Sequence, residues 1–282
     1  MKKGINQWSF PASTSVSDCL RLAEKAGFEG LELCLEEKGE FSLDTSPEYV
    51  SKLAQAARDI GIEVPSVATG LYWKYSPTSS DQAVRAKALE IAKRQIEFAS
   101  ILGADTILYV PGAVNVPWDP SSEIVEYDVA YSRAKDMLLA LTETADQYGI
   151  NIGVENVWNK FLLSPLEMCQ FIDEIGHPRV QAYFDVGNVL VSGYPEHWIK
   201  ILKNRIKKVH VKDFKVEIGN ITGFTNLLQG DVNWPGVVAA LQDVGYDGYL
   251  TAEILPPYRY YPEKLIYDVS SSLDEILGRA RK

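Results

Sequence analysis

Two kinds of hydrophobic pattern alternate along the chain. Short runs rich in β-branched or aromatic residues are typical of buried strands, and longer segments with apolar residues every three to four positions are typical of amphipathic helices. Strands are predicted at residues 4–9, 30–35, 62–68, 106–110, 150–154, 180–184, 207–212 and 248–254. Helices are predicted at residues 18–25, 47–60, 81–102, 127–148, 166–175, from 195 onward, 237–243 and 262–279.

Start and stop signals support these helix limits. Ser17 is predicted to cap the first helix, Pro47 opens the second, and Ser164 followed by proline opens the fifth. Gly61 and Gly103 follow the last apolar positions of the second and third helices, where glycine commonly ends a helix. The boundaries therefore rest on local chemistry as well as on periodicity.

Continuous alternation of strands and helices predicts a parallel sheet, and eight such units close into an α/β barrel of the (β/α)8 type. A chain of 282 residues with no low-complexity linker is then interpreted as one domain over residues 1–282. The alternative is an open doubly wound sheet. It is disfavoured because no Gly-x-Gly-x-x-Gly sequence follows the first strand.

Composition narrows the class of function. The formal net charge is −10, which disfavours nucleic acid and anionic membranes as partners because both repel an acidic protein. No stretch is long and apolar enough for a membrane span, and the N-terminal residues lack a signal-peptide pattern. The three cysteines form no Cys-x-x-Cys pair, as expected of reduced thiols. We expect a soluble cytoplasmic protein.

Polar residues end four consecutive predicted strands. They are Glu155, Asp185, His210 and Glu253. In a (β/α)8 barrel the carboxyl ends of the strands meet at one mouth, where the chemistry is carried out. Neighbouring strands bring these four side chains together, and Asn156, Asn188, Lys212 and Asp213 follow them closely.

Three carboxylates and one imidazole suit a single divalent cation, namely Mn²⁺, Mg²⁺, Co²⁺ or Zn²⁺. Taken singly, a strand-end glutamate could pair with a lysine, His210 could be a satisfied core histidine, and Asp185 could cap a helix. Taken together they favour a metal, because burying three carboxylates side by side without a cation raises their pKa values and costs stability.

Four short motifs carry a resemblance to a known family. They are Val-Glu155-Asn156, Phe-Asp185-Val-Gly-Asn188, Val-His210-Val-Lys-Asp213 and Thr-Ala-Glu253-Ile. In this order the chain resembles the xylose isomerase-like TIM barrel superfamily of sugar isomerases and epimerases, above all ketose 3-epimerases, sugar-phosphate 3-epimerases and hexulose-phosphate isomerases. The segments Glu29–Glu32 and Gln229–Trp234 are also similar to the family.

The resemblance implies roles for the four strand-end residues. Glu155, Asp185, His210 and Glu253 match the metal ligands, and Glu155 and Glu253 match the pair that also moves protons. Asn188 departs from the pattern, because many relatives carry there a histidine that contacts substrate or supports the metal site. The resemblance also implies a homodimer or homotetramer. A nuclease is disfavoured, since its multi-zinc site needs more than the three histidines present.

The sugar isomerase or epimerase chemistry that the resemblance implies begins with proton abstraction beside a carbonyl, and this set of groups suits that step. A divalent metal stabilises the resulting enediolate, and a carboxylate on each side of the substrate can remove a proton from one face and return one to the other. We expect inversion at C3 of a ketose, phosphorylated or not. The alternatives are an inosose-type dehydratase using the same groups, and a non-catalytic sugar-binding barrel.

Substrate contacts are predicted from residues near the barrel mouth. The small-molecule sugar is expected to meet Trp8, Trp158, Asn188, Lys212 and Arg259. Further candidates are Tyr72, Trp73 and Trp118 for the apolar wall and Lys74 and Lys160 for polar contacts. Asp213 is expected to orient His210 or to neutralise Lys212.

Overall fold

A computed structural model describes residues 1–279 as a closed barrel of eight parallel strands surrounded by helices. The barrel strands are β1 (Lys2–Asn6), β2 (Gly30–Cys34), β3 (Val67–Ala68), β4 (Thr106–Tyr109), β5 (Asn151–Glu155), β6 (Val180–Asp185), β7 (Ile206–Val211) and β10 (Tyr249–Ala252). The helices are α1 (Val16–Lys25), α2 (Pro47–Ile60), α3 (Gln82–Leu102), α4 (Tyr127–Tyr148), α5 (Pro165–Ile175), α6 (Pro195–Leu202), α7 (Trp234–Asp243) and α8 (Pro262–Ile276). β1 pairs with both β2 and β10, which closes the ring. The predicted (β/α)8 barrel is confirmed, and the open sheet is wrong.

Most helix termini follow the local signals, but α7 begins at Trp234 and not at residue 237, and α8 ends at Ile276 and not at residue 279. The predicted limits of α2 and α4 are those of the structure, and Ser164 caps α5 by accepting a hydrogen bond from Glu167 N. The N-cap of α1 is Ser15, not the predicted Ser17, because Ser15 Oγ accepts the bond from Asp18 N at 3.1 Å. A serine two residues inside the helix cannot reach those free amides.

The third strand is shorter than predicted. Regular pairing is confined to Val67–Ala68, and residue 63 makes only an isolated bridge to Gly30. Pro65 explains the difference, since it has no N–H to donate to a sheet ladder. The other strands differ from prediction by a few residues at their ends.

The hairpin after β7 was not predicted. After β7 the chain forms a two-stranded antiparallel hairpin, β8 (Asp213–Phe214) with β9 (Phe224–Thr225), outside the barrel sheet. Strands of two residues leave no periodicity to detect. The hairpin projects from the carboxyl end of β7 and therefore stands beside the barrel mouth.

Register brings the ends of β5, β6, β7 and β10 level with one another. Glu155 is paired with Tyr183, Asp185 with His210, and Thr251 with His210. The close approach of β6 to β7 needs glycine at position 187, because a Cβ there would lie 2.6 Å from the backbone oxygen of Lys212. Among residues 1–279, no helix is long and apolar enough to cross a membrane.

Candidate metal centre and cavity

The four predicted strand-end side chains form one buried cluster. One ligand atom from each of Glu155, Asp185, His210 and Glu253 lies within 4.8 Å of the others. His210 Nδ1 lies 3.5 Å from Glu155 Oε1 and 3.5 Å from Glu253 Oε2. The convergence expected from barrel topology is therefore present, while the role of these residues as ligands stays a prediction.

Glu32 fixes the orientation of His210. Glu32 Oε2 lies 2.6 Å from His210 Nε2, and both side chains are fully buried. Glu32 also accepts hydrogen bonds from Asn6 Nδ2 at 2.6 Å, Ser66 Oγ at 2.7 Å and Tyr183 Oη at 2.6 Å. Since an ionised carboxylate only accepts, His210 must carry a proton on Nε2, which turns Nδ1 toward the other carboxylates.

The sequence assigned no role to Glu32, although Glu32 lies in a segment that is similar to the family. The available signal was an acid in the middle of the wholly buried strand β2, Gly-Leu-Glu-Leu-Cys. A buried charge in such a place requires partners. Its pKa is lowered: burial alone would raise it, but the charge of His210 and the hydrogen bonds from His210, Tyr183 and Ser66 outweigh burial. Glu32 is therefore held as a carboxylate.

Lys212 is the nearest cation to the cluster. Its Nζ lies 2.7 Å from Glu253 Oε2 and 3.2 Å from Asp185 Oδ2. Burial tends to lower the pKa of Lys212, yet the charges of Asp185, Glu253 and Glu155 raise it above its usual range. Burial likewise tends to raise the pKa of Glu253, but Lys212 and His210 hold it below its usual range.

The negative charges of Glu155 and Asp185 are not fully balanced by positive groups nearby. Burial, aided by the charges of Glu253 and Asp185, raises the pKa of Glu155 to about 7 against the opposing effect of His210. Burial also raises the pKa of Asp185 despite Lys212. Lys212 and His210 together do not outweigh the effect of burial on all three acids.

Two buried polar atoms of the cluster lack hydrogen-bond partners among the described residues. They are Asp185 Oδ2 and His210 Nδ1. Each lies near a charged group, Asp185 Oδ2 at 3.2 Å from Lys212 Nζ and His210 Nδ1 at 3.5 Å from two carboxylate oxygens, but makes no hydrogen bond within residues 1–279. A divalent cation bound by Glu155, Asp185, His210 and Glu253 would satisfy both atoms and balance the carboxylate charge, and this oxygen-rich donor set with one imidazole suits Mn²⁺, Mg²⁺, Co²⁺ or Zn²⁺.

Two asparagines hold the end of β6 in place. Asn156 Oδ1 accepts from Asp185 N at 2.8 Å, and Asn156 Nδ2 donates to Asp185 O at 2.8 Å. Asn188 Nδ2 donates to Asn156 O at 2.9 Å, and Asn188 N donates to Asp185 Oδ1 at 2.7 Å. Asn188 thus joins the ends of β5 and β6 and also borders the cavity described next.

A cavity of about 600 Å³ opens above the cluster. Its lining includes Trp8, Thr69, Trp73, Leu108, Val110, Trp118, Glu155, Val157, Trp158, Asn188, Lys212, Ile221, Phe224, Thr225, Glu253, Leu255, Pro256 and Pro257. Four of the five predicted substrate contacts are among them, as are two of the candidate aromatic residues. The cavity is apolar except near the acid cluster and at a few hydroxyl and amide groups.

Several sequence candidates lie elsewhere. Arg259 is exposed, outside this lining, with its guanidinium 5.5 Å from the ring of Tyr260. Tyr72 is buried and donates to Gln95 Oε1 at 2.8 Å. The candidate lysines also lie outside it: Lys74 pairs with Glu37 at 2.7 Å, and Lys160 borders a neighbouring, smaller cavity.

The expected role of Asp213 is wrong. Its carboxylate contacts neither His210 nor Lys212, but accepts from Phe214 N at 2.9 Å, Leu228 N at 3.0 Å, Val232 N at 3.1 Å and Trp234 Nε1 at 3.1 Å. These donors surround the base of the β8–β9 hairpin and the start of α7. Asp213 therefore holds the loop that carries Ile221, Phe224 and Thr225 into the cavity wall. This role of Asp213 depends on the loop conformation and could not be predicted from the sequence.

Comparison with known proteins agrees with the fold. The profile of the xylose isomerase-like TIM barrel matches residues 20–273. The chain belongs to the xylose isomerase-like TIM barrel family. L-ribulose-5-phosphate 3-epimerase from Salmonella paratyphi C is 26% identical to this family member over 256 residues, covering 87% of this chain and 84% of the relative.

Two solved structures share this fold. D-psicose 3-epimerase from Clostridium cellulolyticum H10, solved with D-tagatose, has a TM-score of 0.81 at 18% identity and covers 99% of each chain. The IOLI protein, solved with a bound zinc atom, has a TM-score of 0.80 at 17% identity and covers 99% of this chain and 98% of that one. At these identities the likeness concerns the barrel alone.

A divalent cation bound at the cluster would stabilise the native state. We expect saturating Mn²⁺ to raise the midpoint of thermal unfolding, because a ligand held at about 100 times its dissociation constant adds about 2.7 kcal/mol to the native state. The Asp185→Asn variant should lose most of this gain in stability. The control variant Asp173→Asn, which removes an ion pair with Arg205 at the protein surface, should keep it. Scanning calorimetry with and without Mn²⁺ checks the result, and an equal gain in both variants would contradict a metal at the cluster.

Proposed function

We propose that the protein is a divalent-metal-dependent ketose 3-epimerase, and hence an isomerase. The observation that carries the proposal is the position of Glu155 and Glu253, which come from β5 and from the end of β10 and both lie 3.5 Å from His210 Nδ1. Both carboxylates border one cavity large enough for a sugar. Two acids at one centre can reach the two faces of a bound ketose.

The side chains of the chain divide the work of epimerisation. Of Glu155 and Glu253, one removes the C3 proton from one face as a carboxylate, and the other, in its protonated form, delivers a proton to the opposite face; the reverse reaction exchanges these roles. Lys212 holds Glu253 in place through its 2.7 Å contact. When bound by Glu155, Asp185, His210 and Glu253, the metal supplies Lewis-acid stabilisation of charge on the substrate oxygens.

The apolar lining serves this chemistry by excluding water and presenting flat faces to sugar C–H groups. Trp8 and Trp158 provide such faces, and Asn188 and Lys212 are polar groups at the buried end. Asparagine at position 188 does not titrate, so it can position a hydroxyl but not exchange a proton with it. Proton transfer is therefore left to the two glutamates.

The curated relative supports this assignment, since it is named an L-ribulose-5-phosphate 3-epimerase and aligns over most of both chains. A solved structure with the same fold is named a D-psicose 3-epimerase. Both names describe inversion at C3 of a ketose. The proposed activity agrees with the reaction that the acid pair can perform.

The test is a panel of free and phosphorylated ketopentoses and ketohexoses with Mn²⁺-loaded protein, followed by NMR. The expected product is the C3 epimer of at least one ketose, approached from both epimers. A dehydratase would instead give an unsaturated ketone that absorbs in the near ultraviolet. Formation of that ketone, or binding of ketoses without any conversion, would contradict the proposal.

A further inference from the structure

The cavity has two ends of different character. Its buried end contains Glu155, Glu253, Lys212 and Asn188, each less than 15% exposed at the side chain or as a residue. Its exposed end, which we call the outer chamber, is formed by Trp73, Trp118, Ile221, Leu255 and Pro256. Trp118, Ile221 and Leu255 are 40%, 44% and 47% exposed. The outer chamber is thus an open apolar extension of the site.

A simple ketose would leave this extension unfilled. The cavity volume is about 600 Å³, whereas a ketohexose fills only about 200 Å³ at the packing density of protein interiors. A ketose held at the acid cluster by its carbonyl end points its far end toward the outer chamber. The space there is sufficient for a second ring.

The charges of the lining disfavour a phosphate in that space. Recognition of a phosphate dianion uses arginine, lysine or a set of backbone N–H groups. Among the lining residues given above, Lys212 is the only cation, and it already contacts Glu253 and Asp185. The charge of the cavity lining therefore does not suit a phosphorylated sugar, although the name of the curated relative contains one.

Aromatic side chains in and beside the outer chamber are held in fixed orientations. Trp73 and Trp118 pack edge to face with ring centroids 4.9 Å apart and planes at 70°. Trp158 donates from Nε1 to Asn188 O at 2.8 Å and packs on Phe224 at 5.0 Å. Preorganised aromatic faces bind sugar rings or other flat apolar groups through their C–H surfaces.

We propose that the substrate is an unphosphorylated ketose extended, at the end away from its carbonyl, by a second sugar ring or an aromatic group that packs in the outer chamber. This substrate class rests on the proposed function and deepens it. Trp118 is the specificity-determining residue, because it is the most exposed tryptophan of the lining and packs on Trp73.

Binding to the Mn²⁺-loaded protein tests the substrate class without relying on turnover. Quenching of tryptophan fluorescence is measured with D-fructose, D-fructose 6-phosphate and 6-O-α-D-glucopyranosyl-D-fructose, each as its equilibrium mixture of C3 epimers. The glucosylated ketose should bind about ten-fold more tightly than fructose, a gain typical of an added ring contact with an aromatic side chain. Trp118→Ala should reduce this ratio to near one, and Tyr49→Ala, on the outer surface of α2, should leave it unchanged.

Two outcomes overturn the inference. Equal binding of fructose and its glucosylated form means that the outer chamber takes no part in recognition. Tighter binding of the 6-phosphate that is lost in Arg259→Ala means that this exposed arginine selects a phosphorylated sugar. C3 deuterium incorporation in the same samples separates the two proposals. If fructose exchanges its C3 proton but the second ring does not tighten binding, only the substrate class is refuted. If the second ring tightens binding but no C3 proton is exchanged, only the epimerase activity is refuted.

Discussion

The Glu155→Gln and Glu253→Gln variants should each lower the turnover number for C3 epimerisation by about a thousand-fold. Loss of a positioned general acid or base typically costs 10² to 10⁴ in rate, and epimerisation needs both carboxylates in every turnover. Glutamine keeps the shape and an oxygen that can bind a cation, but it cannot accept the C3 proton. Steady-state kinetics at saturating Mn²⁺ measures the effect.

The matched control is Glu143→Gln, an exposed position on α4. It should retain the turnover number of the unmodified protein. Since a general decrease could reflect weaker metal binding, bound Mn²⁺ is quantified in each variant by electron paramagnetic resonance. Full activity of either glutamine variant would contradict its role in proton transfer.

The Glu32→Gln variant should weaken Mn²⁺ binding by about 10- to 100-fold, the usual effect of removing a group that orients a metal-binding histidine. Glu32 receives four hydrogen bonds in the barrel interior, from His210, Asn6, Ser66 and Tyr183. The amide nitrogen of glutamine would face donors and leave at least one of them unpaired. His210 would then lose both its fixed proton on Nε2 and its orientation.

Rescue of the turnover number by excess Mn²⁺ distinguishes a positioning role of Glu32 from a merely structural one. Excess Mn²⁺ should restore most of the turnover number of Glu32→Gln, whereas it should not rescue Glu155→Gln. The control Glu24→Gln, exposed on α1, should bind Mn²⁺ normally. Unchanged Mn²⁺ affinity in a folded Glu32→Gln protein would contradict the role assigned to Glu32.

Barrel topology explains why the centre could be located from sequence. Once strands and helices alternate eight times, the ends of consecutive strands must meet, so Glu155, Asp185, His210 and Glu253 could be grouped without coordinates. Glu155, Asp185 and Glu253 immediately follow or end an apolar run, and His210 lies near the end of β7. The prediction depended on the order of elements and not on their exact limits, and errors of several residues at strand ends did not affect it.

Contacts across the barrel and within loops could not be obtained in this way. Glu32 on β2 meets His210 on β7 through the barrel interior, although these strands are not neighbours in the sheet. Asp213 bonds to donors up to 21 residues away because of the path of one loop. Arg259 follows a strand end like the true lining residues, but its loop directs it outward. Side-chain direction in loops has no periodic signature.

The central claim is that Glu155 and Glu253 act on opposite faces of C3. In D₂O, a protein lacking one of the two can still remove and return a proton on the face of the other, so it labels one epimer without converting it. We therefore predict that Glu155→Gln incorporates deuterium at C3 of one ketose epimer and Glu253→Gln at C3 of the other, as read by NMR. Undiminished exchange of both epimers in both variants, or labelling of the same epimer by both, would contradict the account.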